Sequence, residues 1–161
     1  MKTQFFIPLF ILVISFQQNK IVGRYRDNFG TEFIFNSDST YEYTAVVHIS
    51  ASWSKGKWKV KNDTIFYKAI PSYDTIRIVG RKDSMRLSRS KTPQLISFNS
   101  IKGGVWPISI GEQDIFSGKL YFLNNRLYEI NKDGKLIIER KTRCDRNDGV
   151  KYDPWFTKLS E

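Results

Sequence analysis

Between Ser52 and Tyr67 the chain reads SWSKGKWKVKNDTIFY, and this stretch limits the fold more than any other. Lysines stand at 55, 57, 59 and 61, with Gly56, Trp58 and Val60 between them. Successive side chains of a β-strand point to opposite faces, so a period of two puts the ammonium groups on one side and the apolar groups on the other. Asn62-Asp63 supplies a two-residue turn, since both residues tolerate the positive φ that a tight hairpin requires. With that turn length Val60 faces Ile65 and Trp58 faces Tyr67, and one apolar face runs across both strands.

The rest of the chain is punctuated in the same way. Residues 31–36 place Phe33 and Phe35 on one side, and Asn36-Ser37-Asp38-Ser39 is a turn cluster. Residues 40–50 then carry Tyr41, Tyr43, Ala45, Val47 and Ile49 on one face, aligned with the previous strand if Phe35 sits opposite Tyr41. After a break at Pro71-Ser72-Tyr73-Asp74, Ile76 and Ile78 oppose Arg77, and Met85 and Leu87 alternate with Arg86 and Ser88. Residues 95–98 are a short strand, whereas Gly and Pro punctuate 101–116 too often for a long one. Residues 119–123, 126–131 and 135–140 predict a three-strand meander that aligns Tyr121, Tyr128, Ile130, Leu136 and Ile138 on one face, while Leu120, Phe122, Leu127 and Ile137 make the opposite face apolar enough to be covered as well. Twelve Phe, eight Tyr and four Trp favour strands, and no helical period appears beyond the N-terminal stretch. The reading is all-β: an antiparallel meander of about 8–10 strands, barrel or sandwich, over residues 20–140, followed by a polar C-terminal strap at 141–161.

At the N-terminus Met1-Lys2 precedes FFIPLFILVISF, twelve uncharged residues. That length suits the hydrophobic region of a signal peptide and falls short of the ~20 residues of a spanning helix. The expectation is a signal peptide over residues 1–16 and a secreted or periplasmic protein with no transmembrane span once the leader is removed; an uncleaved short anchor is the alternative. No cysteine follows the hydrophobic stretch, as a lipoprotein would need. The single cysteine, Cys144, cannot form an intramolecular disulfide, so the fold must rest on its core. It reads as a spectator thiol, with a reactive thiol or an intermolecular bridge as alternatives.

Charge is concentrated rather than spread. Residues 51–91 hold eleven Lys/Arg against three Asp/Glu, a net of +8 within a chain of +10. Lys55, Lys57, Lys59, Lys61, Arg77 and Arg86 therefore form a candidate anion-binding face for an anionic envelope surface or glycan. The competing account is a solvated strand face whose lysines discourage edge-to-edge association. Nucleic acid fits poorly, because Trp58 points away from the lysines and only Phe66 shares their side.

Catalytic chemistry finds little purchase. A triad would have to use His48, the only histidine, and no nucleophile motif accompanies it. One His and one Cys exclude a transition-metal site of the usual ligand count, and no cofactor motif is present. Asp145-Arg146-Asn147-Asp148-Gly149 misses the register of a calcium loop and reads as a turn. Asn62-Asp63-Thr64 fits a glycosylation acceptor in a eukaryotic secretory path.

Three features together, Gly23-x-Tyr25 opening the first strand, the GKWKVKNDTIFY hairpin and Arg140 after the last clear strand, give a chain that resembles the lipocalin-like (calycin) small secreted β-barrels over residues 21–140. Tyr25 stands where most lipocalins carry tryptophan, and their usual disulfide cannot form. The resemblance implies a non-enzymatic barrel that binds a small apolar or amphipathic ligand, with Phe33, Phe35, Tyr43, Trp58, Tyr67 and Tyr128 lining the cavity. Ordinary core packing is the alternative role for each of these side chains.

Overall fold

The computed structural model describes residues 18–47, 50–102, 111–142 and 149–160. Four strands open the fold: β1 (Gly23–Arg26), β2 (Thr31–Phe35), β3 (Thr40–Val47) and β4 (Ser50–Lys61), with β5 (Thr64–Ala69) following. The β4–β5 hairpin has the expected register, Trp58 opposite Tyr67 and Val60 opposite Ile65. Its turn residues take φ of 50° at Asn62 and 56° at Asp63, the left-handed pair whose twist matches that of the flanking strands. Phe35 lies opposite Tyr41, also as expected.

From β5 the chain makes an excursion and returns as β10 (Ser117–Leu123) and β11 (Arg126–Glu129), after which β14 (Phe156–Lys158) completes the barrel. Around the barrel the order is β1, β2, β3, β4, β5, β10, β11, β14 and back to β1, every neighbouring pair antiparallel. The fold is thus an eight-stranded closed antiparallel barrel, and closure leaves no free edge among these strands.

Two expectations for the tail fail. Residues 135–140 do not form a stave; they meet the end of β11 only through a bridge between Ile130 and Leu136. The place belongs to β14, which pairs Leu127 with Phe156 and Tyr25 with Lys158, so the barrel continues past residue 140 into the supposed strap. Leu136-Ile137-Ile138 is an unbroken apolar run, whereas Phe156-Thr157-Lys158 alternates and turns a buried phenyl ring inward. The face of the meander that looks inward is also not the one that carries Tyr128, expected in the cavity. Leu120 pairs with Ile65 and Phe122 with Leu127, which places Leu120, Phe122 and Leu127 inside and leaves Tyr121 and Tyr128 outside. A shift of one residue in strand parity exchanges every side chain between faces.

The excursion between β5 and β10 builds a second layer. Strands β6 (Tyr73–Arg77), β7 (Ser84–Leu87) and β8 (Leu95–Ser97) form a small sheet in the order β7-β6-β8, followed by a short helix, α1 (Phe98–Lys102). Strand β9 (Glu112–Gln113) pairs in parallel with β4, and β12 (Lys141–Thr142) with β13 (Lys151–Tyr152) makes a two-stranded ribbon. Lys91 ties the second layer to the barrel by donating to Glu42 Oε2 at 3.2 Å and Thr44 Oγ1 at 3.3 Å.

One end of the barrel, its base, is plugged. Residues 18–21 form a helical turn with Ile21 buried, Gln18 donates to Ser39 Oγ at 2.8 Å, and the Tyr25 hydroxyl donates to the Ile21 carbonyl at 2.7 Å. The Lys158 ammonium lies 5.8 Å from the Tyr25 ring centroid, within cation–π range, while Arg140 instead pairs with Asp153 at 2.7 Å. Among the described residues no helix is long and apolar enough to cross a membrane.

Candidate functional site

Five of the six expected ligand-lining residues do converge inside the barrel. Phe33 stacks on Phe35 with ring centroids 5.7 Å apart, and meets Tyr43 at 4.9 Å and Tyr67 at 5.4 Å. Phe35 in turn meets Trp58 at 5.2 Å. These stacked, tilted and edge-to-face contacts fill the lower interior with the protein's own rings, and Phe33, Phe35 and Trp58 are 3%, 1% and 3% exposed. The core-packing role holds for those three. Tyr128, the sixth, lies outside the barrel with its ring 5.6 Å from Trp155.

Tyr43 and Tyr67 are only partly buried. They meet at the upper end of the barrel with Phe116, whose ring is 5.0 Å from Tyr43 and 5.6 Å from Tyr67. Burial pushes both phenol pKa values up; nearby Asp114, Asp27 and Glu129 add to the effect at Tyr43, and Tyr41, Glu129 and Tyr43 add to it at Tyr67. Both hydroxyls therefore stay protonated and able to donate.

A groove of about 410 Å³ opens beside Tyr67. Tyr67, Gly118 and Leu120 form its floor, Ile130 and Ile137 its apolar wall, and Glu129, Lys119 and Lys132 stand among its polar lining. Glu129 is placed there by register, since it lies opposite Leu120 and so takes the inner face. Gly118 is required because it faces Tyr67 across the β5–β10 ladder, and a Cβ there would run into the phenol hydroxyl. Sequence reasoning found only Tyr67 in this groove. Gly118, Leu120 and Glu129 reach it through a pairing between distant strands, and Ile137 through the bend that takes residues 135–140 off the barrel.

The expected anion-binding set separates into different places. Lys57, Lys59 and Lys61 are exposed on the outer face of β4, while Lys55 donates to the Lys91 carbonyl at 2.9 Å. Lys57 lies opposite Lys68, and Phe66 lies between Lys59 and Lys119, so four lysines surround one exposed ring above a shallow groove of about 240 Å³. Lys68 and Lys119 were not singled out from the sequence. Arg77 and Arg86 belong to the small sheet and fall on opposite faces of it. The Arg86 guanidinium turns inward, 3.3 Å from the buried carboxylate of Asp74, whereas Arg77 is exposed and 3.9 Å from Asp83.

No known protein family, curated protein or solved structure matches this chain. In strand number, direction and closure the barrel is consistent with a lipocalin-like fold. His48, Cys144, residues 145–148 and the N-terminal leader lie outside the described residues. Among the described residues no three His, Cys, Asp or Glu side chains come together in a way that would hold a metal ion.

Proposed function

We propose that this protein is an exported, non-enzymatic, lipocalin-like barrel that holds a small amphipathic molecule at its upper end. The observation that carries the reading is the groove beside Tyr67: its volume of about 410 Å³ falls in the range of small-molecule sites, and its walls divide into an apolar and a polar part. An acyl or aromatic body fits against Leu120, Ile130 and Ile137. A polar head group fits against the Lys132 ammonium, the Glu129 carboxylate and the donating hydroxyl of Tyr67. Ligand occupies this opening rather than the deep interior, where the rings of Phe33, Phe35 and Trp58 already fill the space. Export rests on the uncharged run FFIPLFILVISF at the N-terminus.

A titration with a fluorescent fatty acid, dansyl-undecanoic acid, tests the reading. Saturable one-to-one binding is expected, weakened about tenfold or more by Ile137→Asp, because burying an aliphatic side chain contributes about 1.5–3 kcal/mol. The partly buried Ile137 belongs to no barrel strand, so the variant should keep its unfolding midpoint. Non-saturable binding, or an affinity indifferent to Ile137→Asp, would remove the groove from consideration.

A further inference from the structure

The small sheet β7-β6-β8 turns its apolar side away from the protein. Tyr73 lies opposite Leu87, and Met85 and Leu95 both lie opposite Thr75, so these four apolar side chains share one face. They are 44%, 36%, 68% and 60% exposed, while the reverse face buries Asp74 and Ile96. The β6–β7 turn extends the same surface with Val79, 90% exposed, beside Gly80 at a φ of 76°. Such a contiguous apolar surface marks an interaction site, since single exposed apolar residues are common but rows of them are not.

The charges around it select the partner. Arg77 shares the apolar face through its pairing with Ser97, and Arg81 and Lys82 sit beside Val79 in the turn. Residues 71–102 carry seven Lys/Arg against two Asp/Glu, a net of +5, and one of those acids, Asp74, is buried. A second copy meeting this surface symmetrically would oppose cation to cation. An anionic bilayer answers both features, taking the apolar side chains into the boundary between head groups and acyl chains and setting the cations against lipid phosphates. We propose that the outer face of the small sheet docks on an anionic lipid bilayer, with Val79 at its leading tip. This surface is separate from the ligand groove, which is built on β5, β10 and β11.

Co-sedimentation with vesicles tests it. The protein should bind vesicles of equal parts phosphatidylglycerol and phosphatidylcholine and fail to bind phosphatidylcholine alone. Arg81→Glu with Lys82→Glu should weaken binding about thirtyfold or more, since each basic residue near anionic lipid contributes about fivefold. Val79→Asp with Met85→Asp should weaken it about tenfold or more by removing inserted apolar surface. Lys57→Glu with Lys59→Glu, on the barrel's own lysine face, should change it much less. Equal binding to both kinds of vesicle, or binding unchanged in either small-sheet variant, overturns the proposal. So does a loss in the Lys57/Lys59 variant as large as that in the Arg81/Lys82 variant. A solution dimer abolished by Val79→Asp with Met85→Asp, without vesicle binding, would make a second copy the occupant and also overturn it.

Discussion

The hydroxyl of Tyr67 stands where a Cβ on Gly118 would have to go. Gly118→Ala therefore forces the ring aside or spreads β5 from β10, and overpacking of this kind costs about 1–3 kcal/mol. Tyr67→Leu should relieve part of that cost, so urea denaturation of both single variants and the double variant should give a coupling of about 1 kcal/mol. Strictly additive effects would show that the two residues do not compete for space. The pair also marks what was readable one residue at a time. Trp58 opposite Tyr67 was legible because a two-residue turn fixes the register between them. Gly118 opposite Tyr67 was not, because the second layer lies between them in the chain and no turn chemistry specifies which strand returns. Tyr128 was misplaced for a related reason. Turn lengths relate β10 to β11, but the face that looks inward is decided by Ile65 against Leu120.

Among the elements, β14 carries the barrel's closure in three residues. It bonds to β1 on one side and β11 on the other, and Phe156, 3% exposed, packs against Phe33 with ring centroids 5.3 Å apart. Removing that ring leaves a cavity at the seam, so Phe156→Ala should cost about 3–5 kcal/mol. Ile138, 61% exposed in the segment that sequence alone made a stave, should cost no more than about 0.5 kcal/mol as Ile138→Ala. Midpoints of chemical unfolding compare the two directly, and a reversed order would return residues 135–140 to the barrel. Hairpins were the legible elements, because asparagine and aspartate announce left-handed turns at Asn62-Asp63 and again at Asn124-Asn125. The small sheet's alternation was legible too, yet its direction was not. Met85 and Leu87 look like core residues until the register shows Asp74 and Ile96 on the covered side.

At the scale of the whole molecule, period-two patterning predicted an all-β chain, while the choice between barrel and sandwich depended on one long-range seam that no local pattern encodes. What fills the barrel gives it a specific weakness at high pH. Burial raises the pKa of Tyr25, Tyr41, Tyr43 and Tyr67, most strongly at Tyr25 and Tyr67. In the unfolded chain these phenols titrate near pH 10. Above that pH the unfolded state has lost protons that the native state still holds, so the stability these groups contribute is fully present below about pH 10 and declines as the pH rises further. Each tyrosine held neutral in the fold adds a slope of about 1.4 kcal/mol per pH unit. Urea denaturation at successive pH values from about 9 to 12, followed alongside tyrosinate absorbance, should show stability falling while the buried phenols ionise only as the protein unfolds. Tyr25→Phe should flatten the slope, although it also removes the hydrogen bond to the Ile21 carbonyl and starts from a lower stability. Tyrosinate appearing in full before unfolding would mean that water reaches these phenols and that the aromatic interior is more open than its ring contacts indicate.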